Sequence, residues 1–324
     1  MAKHGLPQRK LEGAALVAAA AVLAFAASFG VAWAAGFDRV AHALTHPHWP
    51  WIFVALGGEA LAYLGYALAY REVARVEGGA KLPPRGAVAL VAAGFAPFVA
   101  GGGFHVDLHA LLRSGVAPRE ARVRVLGLGA LEYAVLAPAA CGTAIFLLQN
   151  GTNVQGGLTW PWAIAVPAGF VAAGIALPFR ERLRGKGLRE GIAHALDGVY
   201  VLRSVLVRPR AHGAAALTGT ALYWFGDMIA LWACLYAFLG HAPWIPHLIL
   251  GYATGYALTR RTLPLGGAGA VEALLPFALS WLGMPLAVAV LGVFTYRFFN
   301  LWLPLIPALA AVSHVRDLPA RLEA

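Results

Sequence analysis

Apolar segments long enough to cross a lipid bilayer recur along the whole of this chain of 324 residues. A transmembrane helix needs about 20 predominantly apolar residues, because the hydrocarbon core is about 30 Å thick. Charged residues make up 12% of the composition, about half the share that soluble domains carry. The sequence therefore predicts an all-α, polytopic helical membrane protein and excludes an ordinary soluble enzyme. The predicted full spans are about 11–36, 50–70, 124–149, 159–179, 213–239 and 285–312.

Two further apolar regions, 86–114 and 246–283, are interrupted by glycine-rich breaks. The first break, 101–103, is followed by four polar residues, which are His105, Asp107, His109 and Arg113. A charged side chain at the centre of a span costs about 2.5–3.5 kcal/mol, and irregular backbone at membrane depth must be shielded by protein. We therefore expect two re-entrant helix hairpins. Two thin crossings over 246–283 are the alternative.

The basic residues lie almost entirely on one side of the predicted spans. With the N-terminus in the cytoplasm, nearly all of the 25 Lys and Arg residues fall in cytoplasmic segments, and the opposite face keeps only Arg39. This bias predicts a multi-pass plasma-membrane protein with both termini in the cytoplasm and a retained N-terminal signal anchor. A basic amphipathic segment, 180–212, is expected on the cytoplasmic leaflet. Topology thus explains the net charge of +10 without a nucleic-acid partner.

The two halves of the chain resemble each other when the sequence is displaced by 165 residues. Gly102 then falls on Gly267, Asp107 on Glu272, and Glu132 on Arg297. We expect one integral membrane domain over residues 1–324, built as an inverted repeat. Its halves are about 1–149 and 150–324, an arrangement typical of transporters.

The candidate binding residues concentrate around the second break. Arg260 and Arg261 precede it, and Arg297 lies inside the last span. An arginine at membrane depth must meet an acid, water or an anionic ligand, and its planar donors suit phosphate oxygens. The alternative for the first two is the cytoplasmic end of a full span. Three glycines of the break allow backbone amides to face an anion at a helix start: Gly266, Gly267 and Gly269.

Acidic residues complete the predicted site, where they would balance the arginines or attract a cationic headgroup: Asp107, Glu132 and Glu272. Glu272 can cap its own helix or pair with an arginine. Glu132 and Arg297 can pair with each other or with a hairpin residue. Asp227, in the middle of 213–239, is a further candidate of the same kind. The sequence predicts no metal and no cofactor, because His105 and His109 have no identifiable third ligand.

The segment 263–309 resembles the C-terminal signature of the lysylphosphatidylglycerol synthase transmembrane family, which includes the flippase domain of the multiple peptide resistance factor. The matching residues are Pro264, Gly266, Gly267, Gly269, Glu272, Tyr296, Arg297, Trp302 and Pro304. Gly102, Asp107, Arg113 and Glu132 fit the family's first signature, whereas Tyr133 stands where the family often has arginine. The resemblance implies a protein that moves a phospholipid between leaflets. The aminoacyl-transferase domain of the full synthases has no counterpart in this sequence, so lipid synthesis is not expected.

The leading hypothesis is a non-enzymatic lipid translocator that holds a lipid phosphate at Arg260, Arg261 and Arg297. The alternatives are a membrane-embedded transferase with Asp107 or Glu132 as general base, an ion-coupled transporter of a small solute, and a regulatory subunit. The expected partners are the bilayer, a phospholipid or lipid-linked substrate, a separate lipid-modifying enzyme and further copies of the chain.

Overall fold

The computed structural model describes residues 6–45, 47–76, 82–94, 107–108, 111–112, 115–151, 156–207, 210–257 and 263–306. Every regular element in these ranges is helical. In chain order the α-helices are α1 (Leu6–Ala35), α2 (Phe37–Leu44), α3 (Pro50–Ala74), α4 (Pro84–Gly94), α5 (Pro118–Gln149), α6 (Gly156–Ala176), α7 (Leu188–Val207), α8 (Arg210–Leu239), α9 (Ile245–Tyr252), α10 (Ala270–Trp281) and α11 (Leu286–Arg297). Pro264–Gly267 and Leu177–Leu183 are 3₁₀ turns, and Ala253–Ala257 and Phe298–Trp302 are π-helical.

Five of the six predicted spans are helices long and apolar enough to cross a membrane: Ala15–Ala35, Pro50–Ala74, Pro118–Gln149, Gly156–Leu183 and His212–Leu239. The sixth corresponds to a shorter apolar helix, Leu286–Trp302. The third begins earlier than its apolar residues suggest, because Pro118 occupies the first helical turn, where its fixed φ favours helix initiation. The prediction of an all-α polytopic membrane protein is confirmed.

Helices α3 and α8 form the closest interface among the described helices, because glycines bring their backbones into contact. We call this contact the glycine seam; its glycines are Gly58, Gly65, Gly219 and Gly226. A Cβ atom added at Gly65 would lie 2.5 Å from the Tyr223 nitrogen, and one at Gly58 would lie 2.6 Å from the Gly226 oxygen. Positions that rise along α3 meet positions that fall along α8, so the helices run antiparallel. An inverted repeat requires this orientation for the two spans that correspond in sequence. The equivalence of the halves stays a prediction.

The predicted amphipathic segment forms the turn Leu177–Leu183 and helix α7. Its apolar residues divide between two environments: Leu196 is buried, whereas Leu188 is exposed. The buried side packs on α5, where a Cβ atom at Gly127 would lie 2.3 Å from Val201. Part of the apolar face of this segment, which was expected to lie on the cytoplasmic leaflet, therefore packs on protein.

The second broken region folds back on itself. Gly255 lies against Leu275, and Gly251 against Leu279, so the arm formed by α9 and its π-helical extension runs antiparallel to α10. The 12 residues of α10 span about 18 Å, which is shorter than the apolar thickness of a bilayer. These lengths favour a re-entrant hairpin over two crossings. The first broken region is described only at α4 and at residues 107–108 and 111–112, so its glycine break lies outside the described residues.

Candidate functional site

An ion pair between Arg297 and Glu272 lies at the tip of the second hairpin. Arg297 Nε donates to Glu272 Oε1 at 2.7 Å, and each residue is only 1% exposed. Glu272 Oε2 accepts from the Gly269 backbone nitrogen at 2.7 Å. Glu272 thus caps its own helix and pairs with an arginine, so both predicted alternatives are confirmed. Of the two partners predicted for Arg297, the structure selects the hairpin residue.

The glycine-rich break curls around the end of Arg297. Its backbone has positive φ angles at Leu265 (56°), Gly266 (62°), Gly267 (70°) and Gly269 (85°), a conformation that favours glycine. This path turns the Gly266 carbonyl toward Arg297 Nη2, at 2.9 Å. The Gly269 amide, predicted to face an anion, faces the internal anion Glu272. The tip is therefore an anion site whose present occupant is a side chain.

Asn300 connects this ion pair to a second buried polar group. Its Oδ1 accepts from Arg297 Nη1 at 3.3 Å and from the Tyr256 hydroxyl at 2.8 Å. Its Nδ2 donates to Asp227 Oδ1 at 2.8 Å. Asn300 and Tyr256 lie in the two π-helical segments, a rare helix form that occurs frequently at functional sites.

Asp227 is the centre of that second group, which we call the carboxyl cluster: Glu59, Asp227, Tyr252, Tyr296 and Asn300. The Tyr296 hydroxyl donates to Asp227 Oδ1 at 2.9 Å, and the Tyr252 hydroxyl donates to Oδ2. Glu59 lies on the facing helix α3 directly after Gly58, whose backbone touches that of Gly226, the residue before Asp227. All five side chains are buried, so the cluster holds two carboxyl groups inside the protein, one on each side of the contact between α3 and α8.

A row of aromatic rings leads from the cluster toward Asp107. The Tyr66 hydroxyl donates to Asp107 Oδ2 at 2.8 Å, and the Trp224 nitrogen donates to the Glu132 carbonyl at 2.9 Å. Successive centroids lie 4.6–5.8 Å apart, and the row consists of Tyr66, Tyr223, Trp224 and Tyr252. Asp107 is therefore connected with Glu272 through buried side-chain contacts, whereas Glu132 meets the row through its backbone carbonyl. Both Asp107 and Glu132 lie beside the row rather than at the hairpin tip.

Four residues that the sequence analysis assigned to one site, Gly266, Gly269, Glu272 and Arg297, lie together at the tip. The sequence analysis missed most of the carboxyl cluster. Arg260 and Arg261 lie outside the described residues. Glu59 was missed although it carried the same signal as Asp227, an acid in the middle of an apolar span. Tyr252 and Asn300 carried no signal in the sequence, and Tyr296 was singled out only by the family signature. Within the described residues, no group of three His, Cys, Asp or Glu side chains is placed to hold a metal ion.

A cavity of about 530 Å³ lies at the other end of α11, between its first turn and helices α1 and α2. Its polar lining residues are Asp38, Arg39 and His42. Helix α1 runs from this cavity to the hairpin tip, where Leu23 contacts Gly269 and alanines 20 and 24 pack on Ala268. Small side chains of one helix thus cover the tip along this side.

The family model described as the lysylphosphatidylglycerol synthase TM region matches residues 14–308. The matched range contains the hairpin tip, the carboxyl cluster and the aromatic row. No curated protein matches the chain.

Proposed function

Because the chain belongs to the lysylphosphatidylglycerol synthase transmembrane family, we propose that it moves a phospholipid or lipid-linked headgroup between the two leaflets. The family associates the chain with a lipid-related function in a membrane. The observation that carries the finer proposal is the fully buried Arg297, held at the tip of a hairpin too short to cross the bilayer.

In this proposal a lipid phosphate replaces Glu272 as the partner of Arg297. Removing one member of a buried ion pair is expensive because the other charge loses its partner. Here the displaced Glu272 keeps the Gly269 amide and the start of α10, both of which stabilise a negative charge. Exchange of one anion for another at a guanidinium is therefore accessible at this tip. Arg260 and Arg261, directly before the break in sequence, would add to the phosphate site.

The acids beside the aromatic row suit the other end of a headgroup. A cation entering near Asp107 and Glu132 would meet carboxyl groups together with ring faces, which attract cations. The phosphate would be held at Arg297 at the same time. Glu272 balances the arginine whenever the site is empty.

The proposed path for the headgroup follows helix α1. This helix covers the hairpin tip with small side chains and leads to the cavity that Arg39 and His42 line. The acyl chains would remain in the bilayer while the headgroup moves between the tip and the cavity. We place both termini in the cytoplasm of a plasma-membrane protein, which makes this cavity the non-cytoplasmic end of the path.

The proposed movement needs no covalent step, so we propose a translocator rather than an enzyme. Purified protein incubated with radiolabelled phospholipid should leave the lipid chemically unchanged. A new labelled product would overturn this part of the proposal.

The decisive experiment uses proteoliposomes in which a fluorescent phosphatidylglycerol analogue is quenched from the outside only. The double variant Arg297→Met with Glu272→Leu removes both charges together, a replacement that buried ion pairs often tolerate. We expect a folded variant with at least a tenfold slower lipid movement, and wild-type movement for the exposed control Arg203→Met. Wild-type rates in the folded double variant would overturn the proposal, as would an inactive wild type across anionic and cationic lipids.

A further inference from the structure

Helix α7 is held at the membrane surface by the spans on either side of it. The span that precedes α7 ends at Leu183, and the span that follows begins at His212, so a short connection joins each end of the helix to the bilayer. Four of its 20 residues are charged, a load that disfavours burial in hydrocarbon. Helix α7 therefore lies along the surface at which its two neighbouring spans end.

Helix α7 has two apolar faces, and protein covers only one of them. The covered face packs on α5, where a Cβ atom at Gly198 would lie 2.8 Å from the Leu126 oxygen. On the other face Leu188 is 82% exposed and Ile192 is 40% exposed. Residues four positions apart lie on the same side of a helix. These two side chains therefore form one exposed apolar strip at the start of α7.

The acidic side chains of this segment are already engaged within it. Arg184 Nε donates to Glu181 Oε2 at 2.6 Å, and Arg184 Nη2 donates to Asp197 Oδ1 at 3.3 Å. Glu190 Oε1 lies 3.2 Å from His194 Nε2. One arginine thus serves two of the three acids, and the other basic residues nearby keep their charge uncompensated.

Three cations beside the apolar strip have no acidic partner: Arg182, Lys186 and Arg189. Within the part of the chain that the structure describes, none of them forms an ion pair. Lys186 and Arg189 lie on either side of Leu188 in the sequence, so positive charge borders the strip. We call these three cations, with Leu188 and Ile192, the basic patch. Exposed apolar side chains bordered by uncompensated cations are typical of a helix that lies on an anionic membrane surface.

We infer that the basic patch is a docking site for anionic lipids of the leaflet at which the two neighbouring spans end, which we place on the cytoplasmic side. Leu188 and Ile192 enter the headgroup region, and the three cations bind lipid phosphates. The leaflet is the partner within reach, because both ends of α7 are tied to spans. The patch lies on a different element from the hairpin tip, so this inference does not depend on lipid movement there.

The test measures how deeply the apolar strip enters the bilayer. Both native cysteines are buried, so the variant Ile192→Cys takes an environment-sensitive fluorophore at that position. The labelled full-length protein is placed in nanodiscs that contain a spin-labelled lipid as quencher. Nanodiscs of phosphatidylcholine are compared with nanodiscs that also contain about 30% phosphatidylglycerol, the anionic component. We expect at least twofold stronger quenching with phosphatidylglycerol, and high salt should remove most of this difference because it screens exposed charges.

Two charge-matched variants separate the patch from the overall charge of the protein. Lys186→Gln with Arg189→Gln should abolish the difference between the two kinds of nanodisc. Arg85→Gln with Arg203→Gln removes two other exposed arginines, one from α4 and one further along α7, and should keep the difference. All four side chains are exposed, so the substitutions should leave folding intact.

Equal quenching of the otherwise wild-type protein in the two kinds of nanodisc would overturn the inference. Loss of the difference in the Arg85 and Arg203 variant would also overturn it, because net charge rather than the patch would then set the depth. The measurement needs no lipid movement, so either result leaves the proposed function standing.

Discussion

Asp107 and Glu272 correspond in the two predicted halves, yet the partners that the described residues supply to them differ. Asp107 receives neutral phenol hydroxyls, from Tyr66 to its carboxylate and from Tyr70 to its carbonyl. Glu272 receives a guanidinium and a backbone amide. The position 25 residues later differs in the same sense, since Glu132 in the first half corresponds to Arg297 in the second.

This difference teaches that a repeat predicted for the backbone does not imply a repeated site. Among the described residues, tyrosines surround Asp107, whereas an arginine and a glycine-rich turn surround Glu272. Function belongs to the particular side chains that a fold presents. A ligand with both a cationic and an anionic group would use both halves, whereas two identical sites would bind only one kind of charge.

The largest effect should come from breaking the charged site alone. Arg297→Gln leaves Glu272 buried without its cation, which costs about 3–5 kcal/mol in the free energy of unfolding. Thermal unfolding in detergent should therefore show a large loss for Arg297→Gln. Asp107→Asn should lose far less, because Tyr66 can still donate to the amide oxygen and Tyr70 to the unchanged backbone carbonyl. Equal losses at the two positions would contradict the proposed difference between the halves.

An intermediate effect is expected where the two halves behave alike. Gly65→Ala on α3 and Gly219→Ala on α8 both push a methyl group into the facing backbone, at 2.5 and 2.7 Å. Overpacking of this kind costs about 1–3 kcal/mol or more. Gly57→Ala is the matched control, because nothing lies within 4 Å of its added Cβ atom. A control as unstable as the two seam variants would mean that helix properties, not backbone contact, govern the loss.

The smallest effect is expected from the hydrogen bond that Tyr66 donates to Asp107. Tyr66→Phe removes one hydroxyl from Asp107, and a hydrogen bond to a charged group contributes about 1.5–3 kcal/mol, one between neutral groups about 1 kcal/mol. We expect the free energy of unfolding to fall by about 1 kcal/mol, measured by the same unfolding assay. A loss as large as that of Arg297→Gln would show that Asp107 is also held as a buried charge.

The spans and the hairpin were predictable because they depend on local composition. A run of apolar residues requires a membrane helix wherever it packs, and an arginine beside a glycine break requires an anion. The carboxyl cluster was not predictable in this way. Glu59 and Asp227 lie far apart in the chain, and only the contact of Gly58 with Gly226 brings them together. The π-helical segments also leave no mark on hydrophobic periodicity, so the meeting of Tyr256 with Asn300 could not be foreseen.

The glycine seam between α3 and α8 also limits which parts of the molecule can move. Two helices whose main chains touch have no flexible side chains between them to absorb sliding or rocking. These two helices would keep their positions relative to each other during any transport cycle. Rearrangements would involve the helices packed around this pair, above all α1. The alanines of α1 can separate from the hairpin tip with little loss of contact.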